Sequence, residues 1–199
     1  IDPLNAIVFP RPIGWISSLS KTGIPNLAPY SFFNAVAYTP PQVMFAASFE
    51  PNTNAYKDSI ENILKTKEFV VNFVTKTMSQ KMNLSSIDAP KDIDEFDFSI
   101  IRKRKSKKVK PFSVSNSPVN LECRLLQKID LKSSLKNEFD NKIIIGEVVG
   151  IYIDNQFIKN GRIDSIAMQY VGRLGYAEYT TIKSKFKMKR PSWKAFQKK

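Results

Sequence analysis

Apolar positions in this chain fall mostly into short runs of strand length, separated by turn-forming residues at intervals too small for long helical crossovers. Gly14 to Leu19 is the first such run. A Lys-Thr-Gly turn follows it, and a second extended run over Asn26 to Ser31 predicts a β-hairpin. Thr39-Pro40-Pro41 then breaks the chain, and Gln42 to Ser48 reads as a buried strand with small residues at its end. Asn52, Thr53 and Asn54 supply helix-capping side chains; Tyr56, Ile60, Ile63 and Leu64 recur at helical spacing after them, which places Lys57 and Ser59 in a first turn. Glu68 to Val74 is rich in β-branched and aromatic residues and predicts a strand, whereas Met78 to Leu84 predicts a short helix. Val119 to Ile129, Ile143 to Ile153 and, after a Gly-Arg-Leu-Gly bend, Tyr170 to Ile182 complete the strands.

At least six strands against two or three short helices predict a mainly β fold, an antiparallel barrel rather than a doubly wound sheet. The run Ile143 to Ile153 is apolar on both faces apart from Glu147, so the outer wall of that barrel is expected to be covered by a helix or a second subunit. Pro10 and Pro12 hold Arg11 extended, because proline disfavours helix at the residue before it. One domain is expected over residues 1–182. It is followed by a basic tail, 183–199, in which Phe186, Trp193 and Phe196 are placed to dock on the body.

Composition narrows the chemistry. The 199 residues carry a net charge of +13, but seven basic residues lie in Arg102–Lys110 and eight in Lys183–Lys199, with no acid in either block. The remaining sixteen basic residues meet 18 acidic ones, so the body is close to neutral. The excess then belongs to a solvated loop and tail, and nucleic-acid binding is not the expected role. A lone cysteine, Cys123, excludes an intramolecular disulfide; its alternation with Asn120, Glu122 and Arg124 makes it a buried strand residue. Histidine is absent altogether, which removes Ser-His-Asp and Cys-His nucleophilic machinery and the ordinary zinc sites. No run approaches the length of a membrane-spanning helix, and a soluble, cytoplasmic protein is expected.

Two stretches hold candidate binding chemistry. Tyr30, Phe32 and Phe33 flank Ser31 and lead into Asn34, mixing flat apolar surfaces with short hydrogen-bonding groups that suit a planar, heteroatom-edged ligand; core packing would use the same aromatics. The helix start near Lys57 and Ser59 combines first-turn N–H groups with an ammonium and a hydroxyl, a set that suits phosphate. The acidic stretch Ser85 to Ser99 lacks the glycine spacing of a calcium loop and reads as solvated. The seven glycines form neither a dinucleotide fingerprint nor a P-loop.

The ordered blocks RPIGWISS, GIPNLAPYSFFNAV, TPPQVMF, KDSIENI, KEFVVNFV, LECRLLQ, IIIGEVVGIYID, GRID and VGRLGYAEY run from about Phe9 to Ile182. In that series the chain resembles the flavin reductase-like family of FMN-binding split barrels. The resemblance implies a six-stranded antiparallel Greek-key split β-barrel, a homodimer, and non-covalent FMN near the subunit interface. It places flavin-ring contacts at Trp15, Ile16, Ser17, Ser31, Phe32, Phe33 and Asn34, phosphate contacts at Ser48, Lys57 and Ser59, and a closing contact near Gly172 and Arg173. It also implies NAD(P)H as electron donor and free flavin, a partner oxygenase or another acceptor as the destination; a flavin-binding relay with little NAD(P)H turnover is the alternative. Ser59 stands where the family commonly has Thr, and Gly175-Tyr176 replaces the more usual paired glycines. With the redox chemistry carried by the cofactor, the missing histidines fit a protein whose task is to bind, orient and tune it. Arg11 and Arg173 are the candidates for a positive charge near the flavin pyrimidine edge.

Overall fold

The computed structural model describes residues 3–48, 57–132 and 141–197. A short helix α1 (Pro3–Ile7) and strand β1 (Arg11–Pro12) precede the hairpin β2 (Gly14–Leu19) and β3 (Pro25–Tyr30). Then come β4 (Phe33–Tyr38), β5 (Pro41–Ser48), helix α2 (Asp58–Thr66) and β6 (Glu68–Asn72). A 3-10 turn (Lys76–Met78) runs into α3 (Ser79–Leu84), and α4 (Glu95–Phe98) leads to a small hairpin of β7 (Lys103–Arg104) and β8 (Ser113–Val114). Two long strands, β9 (Val119–Leu131) and β10 (Asn141–Ile153), are followed by the pairs β11 (Ile158–Lys159) with β12 (Arg162–Ile163) and β13 (Val171–Arg173) with β14 (Tyr179–Thr181). The helix α5 (Trp193–Phe196) lies in the tail.

Seven strands form the main sheet in the order β3-β2-β6-β9-β10-β5-β4, antiparallel throughout. The sheet curls so that β3 approaches β5 across a seam with no ladder between these two strands, while the Ala46 N–H, donating to the Phe32 carbonyl at 2.8 Å, extends the β4–β5 ladder one pair beyond Phe33 and Phe45. This open seam is the split of a split barrel. Alternation along β2 divides its side chains between two cores. Ile16 joins Tyr30, Phe33, Phe45, Phe69, Cys123 and Ile144 inside the barrel, while Trp15 packs outside with Leu27, Met78, Met82, Phe96 and Val114. The amphipathic helix α2 turns Ile60 and Ile63 into the barrel and closes one end. Space inside is tight: a Cβ added at Gly146 would lie 2.4 Å from the Phe69 ring, beside a bulge in the β9–β10 ladder.

Several expectations need correction. The sheet has seven strands rather than six, because β4 was not anticipated: beyond buried Phe33 its residues are all exposed, so this edge strand carries no alternating pattern. Tyr170 to Ile182 is not one strand but the pair β13 and β14, which form a separate three-stranded sheet with β1. Helix α2 begins at Asp58, with Lys57 as an extended N-cap at φ −56°, ψ 141°; the expected caps Asn52, Thr53 and Asn54 lie outside the described residues. The tail aromatics Phe186, Trp193 and Phe196 are exposed rather than docked. The loop after β7 is pinned, not loose: the backbone N–H groups of Lys107 and Lys108 converge on the Glu122 carboxylate, and that of Lys110 donates to Glu68 at 2.9 Å. Part of the acidic stretch is likewise structural, since Asp94 caps α4 and joins Asp97 on the Lys103 ammonium.

Candidate functional site

The barrel seam opens into a cavity of about 490 Å³. Its walls are β3 (Asn26, Ala28, Tyr30), the turn after it (Ser31, Phe32), the small residues Ala46 and Ala47 of β5, the start of α2, and the segment from Ser85 to Lys91. The small β5 residues are what leave room for a ligand against the sheet. A second cavity of about 570 Å³ shares Pro29, Ser31, Phe32 and Ser86 with the first and extends to Arg11, Arg173, Tyr176 and Tyr179. Phe32, 40% exposed, therefore stands between the two.

The first cavity ends in a polar floor. The Ser59 hydroxyl donates to the Asn26 side-chain oxygen at 2.6 Å, and the Asn26 amide donates to the Glu95 carboxylate at 3.1 Å, which also accepts the Leu27 N–H at 2.9 Å. Burial pushes the Glu95 and Asp58 carboxyls upward from their ordinary values. Above this floor the Tyr30 hydroxyl is buried and, among the described residues, completes no well-formed hydrogen bond; desolvation pushes its pKa up to about 12, against a smaller lowering by the neighbouring Ser59 hydroxyl. An unmade hydrogen bond at a buried hydroxyl is costly in a free protein and is repaired by a bound acceptor. Lys57 reaches the same space, 3.7 Å from Asp88, and its side chain makes no cap bond, so the first-turn N–H groups of Asp58 and Ser59 are left outside the helical ladder.

Of the residues predicted to hold a flavin, Ser31 and Phe32 line both cavities, Lys57 and Ser59 the first, and Arg173 the second. Trp15, Ile16 and Ser17 are fully buried and put no side chain into either wall: Trp15 donates to the Ser85 hydroxyl at 2.9 Å, and Ser17 to the Phe112 carbonyl at 2.6 Å. They support the site from behind, Trp15 by holding the Ser85 end of the 85–91 segment. Phe33 is a barrel-core residue, and Asn34 turns its side-chain oxygen back to the Ala35 N–H. Ser48 ends β5 opposite Asn141. The Ser59 hydroxyl proton is committed to Asn26, so a phosphate would meet this residue through its backbone N–H unless the side chain rotates. Sequence reasoning missed the Tyr30 hydroxyl in the cavity wall, Glu95 and Asn26 as the floor, and residues 85–91 as a wall. The only available signal was the Asn26-to-Tyr30 strand itself, whose alternate residues share one face.

Arg11 is 6% exposed, and its guanidinium donates to the carbonyls of Asn5 at 2.6 Å, Val8 at 2.7 Å and Leu174 at 3.0 Å, with Nε 3.5 Å from the Ser31 hydroxyl. Arg173 lies directly opposite it in the β1–β13 register and donates to the Tyr179 hydroxyl and the Tyr176 carbonyl.

Comparison with known proteins agrees with this geometry. The family model described as "Flavin reductase like domain" matches residues 6–172. An uncharacterized protein of Aquifex aeolicus (strain VF5) is 34% identical over 92% of this chain and 90% of its own. Among solved structures, nitrilotriacetate monooxygenase component B from Bacillus cereus superposes with a TM-score of 0.87 at 25% identity, covering 93% of this chain and 90% of that one. The 2-nitrobenzoate 2-nitroreductase of Pseudomonas fluorescens follows with a TM-score of 0.82 at 27% identity, covering 96% and 89%. With the split barrel, the seam cavity and a family match over most of its length, the chain belongs to the flavin reductase-like family.

Proposed function

We propose that this protein is an FMN-dependent oxidoreductase of the flavin reductase type, moving reducing equivalents from NAD(P)H through FMN to free flavin or a partner acceptor such as an oxygenase component. The observation that carries this reading is the buried Tyr30 hydroxyl, without a well-formed hydrogen bond among the described residues, in a seam cavity that also holds Lys57 and the start of α2. A phosphate monoester fits that donor set: Tyr30 O–H, the Lys57 ammonium and the first-turn N–H groups of α2 all donate, and phosphate only accepts. The ring of the cofactor then has Phe32 and the shared wall of the two cavities as its surroundings. FMN supplies the redox chemistry when bound; the chain's own residues bind it, exclude water on the seam side and set its electrostatic surroundings.

The apolar outer face of the main sheet supports a homodimer. Met44, Ile143 and Ile145 point away from the barrel core on neighbouring strands, Ile151 is 60% exposed, and the helices pack on β2 and β3 instead. A second copy is the covering that such a face on β5 and β10 calls for.

The absence of histidine favours a second reading, a flavin-binding electron relay with little NAD(P)H turnover. Titration with FMN, followed by flavin fluorescence, tests the shared part of the two readings; no binding at micromolar FMN sinks both. Anaerobic oxidation of NADH and NADPH by the FMN-loaded protein separates them, since bleaching of the flavin within seconds supports the reductase and an unchanged spectrum supports the relay.

A further inference from the structure

The second cavity differs from the first in charge. Lys57, Lys91, Asp58, Asp88 and Glu95 line the first, so its fixed charges nearly cancel. Among the described residues the second is lined by Arg11 and Arg173 and by no Asp, Glu or Lys. Neither arginine makes an ion pair with a carboxylate among the described residues; their guanidinium groups donate to carbonyl and hydroxyl oxygens and lie over the rings of Phe32 and Tyr179.

Two like charges placed directly opposite each other on paired strands repel, and antiparallel β1 and β13 hold Arg11 and Arg173 in that position. Local structure keeps them there. Three backbone carbonyls cage Arg11, and Gly175 sits so close to α1 that an added Cβ would lie 2.7 Å from the Ala6 backbone. Tyr176, at φ +54°, occupies the left-handed region that a bulky residue rarely adopts, and its carbonyl is the one that accepts from Arg173. Observed backbone strain beside a cavity is a reason to look for a ligand there. The side walls are aromatic: Phe32, whose ring centroid is 5.8 Å from the Arg11 guanidinium carbon, together with Tyr176 and Tyr179.

We propose that the second cavity binds a planar aromatic anion, with Arg173 as the contacting cation, Arg11 as a fixed charge behind it, and Phe32, Tyr176 and Tyr179 as the flat walls. This deepens the flavin reading and rests on it for the ligand's role: the cavity shares Ser31 and Phe32 with the flavin cavity, so its occupant is a co-substrate held beside the cofactor. The shared chemistry is one aromatic ring bearing one anionic group. A planar fork of N–H donors suits a carboxylate or a phosphate equally.

The test is calorimetric titration of the FMN-loaded protein with benzoate, phenyl phosphate and neutral benzamide. Benzoate or phenyl phosphate is expected to bind at least tenfold more tightly than benzamide, and the tighter of the two identifies the anionic group. This comparison needs no variant, and equal affinities for all three overturn the proposal. Arg173→Gln is expected to abolish the preference for the anions and Arg173→Lys to retain part of it, each titrated at saturating FMN. Preference unchanged in Arg173→Gln also overturns the proposal. Repeating the titration without FMN keeps the two readings apart: discrimination by a protein that takes up no flavin would leave the anion site standing and remove the flavin reading, while flavin uptake without discrimination does the reverse.

Discussion

The hydroxyls of Tyr30 and Ser59 lie beside each other in the wall of the seam cavity, close enough for Ser59 to act on the Tyr30 phenol, yet Ser59 gives its proton to Asn26 at 2.6 Å and, among the described residues, no group completes a well-formed hydrogen bond to Tyr30. That asymmetry makes removal of the Tyr30 hydroxyl informative, because its effects on stability and on binding have opposite signs. Tyr30→Phe takes away a buried donor that lacks a well-formed hydrogen bond while leaving the ring against Phe45, 4.8 Å away between centroids. The ligand-free protein is expected to become more stable by about 1 kcal/mol. FMN affinity is expected to fall about tenfold, the loss of one hydrogen bond to a charged acceptor. Thermal melts and flavin titrations on the same preparations read both numbers; a drop in both would place the hydroxyl in the fold rather than in the site.

Lys57→Ala separates the phosphate from the ring. The ammonium is half-exposed and already 3.7 Å from Asp88, so its loss leaves the fold intact. FMN binding is expected to weaken by roughly tenfold, as for a partly screened charge-assisted contact, and riboflavin binding by less than twofold. Equal losses for the two flavins would contradict the phosphate role.

Glu95 predicts a pH dependence whose sign follows from its burial. Its carboxyl is raised above the ordinary glutamate value of 4.5, with desolvation the leading cause. The native state therefore retains a proton that the unfolded chain has released, over the interval from about pH 4.5 up to the raised value. Stability conferred by the neutral acid is full below that interval and is lost as pH rises through it. Asp58, also raised by burial, acts in the same direction; Lys57 and Lys91 oppose it, while Asp88, the remaining acid in the wall, adds negative charge. Against Glu95→Gln, the wild type is expected to lose relative stability as pH rises above 4.5, by denaturant titration at a series of pH values. A difference independent of pH would refute the assignment.

Gly146→Ala tests the barrel interior. An added methyl would meet the Phe69 ring at 2.4 Å, inside the core shared with Phe45 and Cys123. Overpacking of this kind costs about 1–3 kcal/mol. The accompanying change Phe69→Leu is expected to restore part of it, and additive losses in the two variants would show that the ring is not what the methyl strikes.

How much of this was legible in the sequence depends on what each residue had to announce. Buried strands such as β6 and β9 show themselves through β-branched and alternating residues, and the hairpin β2–β3 through its turn, so the barrel could be read. The edge strand β4 could not, since Asn34 to Tyr38 are all exposed and its pairing with β5 is fixed by the partner strand. The site was half legible. Lys57 and Ser59 are local to a helix start, but the cavity floor joins Asn26, Ser59 and Glu95 from three distant segments, and no spacing in one chain reveals that meeting. Trp15 and Ser17 show the converse: they stand in a stretch that reads as a cradle yet line neither cavity, because strand alternation turns them to the side away from the barrel interior, Trp15 into the outer core and Ser17 onto the Phe112 carbonyl.

The outer face of the sheet carries the last prediction. In register, Ile145 of β10 stands beside Met44 of β5, and Ile143 beside Ala46, so apolar side chains continue from strand to strand on the side away from the barrel. These residues are only half-buried in the single chain, and Val36 on β4 and Ile151 further along β10 are exposed by 51% and 60%. Covering such a face with a second copy removes apolar area from water at about 25 cal/mol per Å². A charge placed there would have to be desolvated on association, at a cost of several kcal/mol. The wild type is expected to sediment as a dimer and Ile145→Glu as a monomer, with an unchanged far-ultraviolet circular dichroism spectrum because residue 145 is only half-buried in the single chain. FMN affinity is expected to fall alongside if the partner completes the flavin surroundings. A wild type that sediments as a monomer, or a variant that remains dimeric, would remove the sheet face from consideration as the subunit interface.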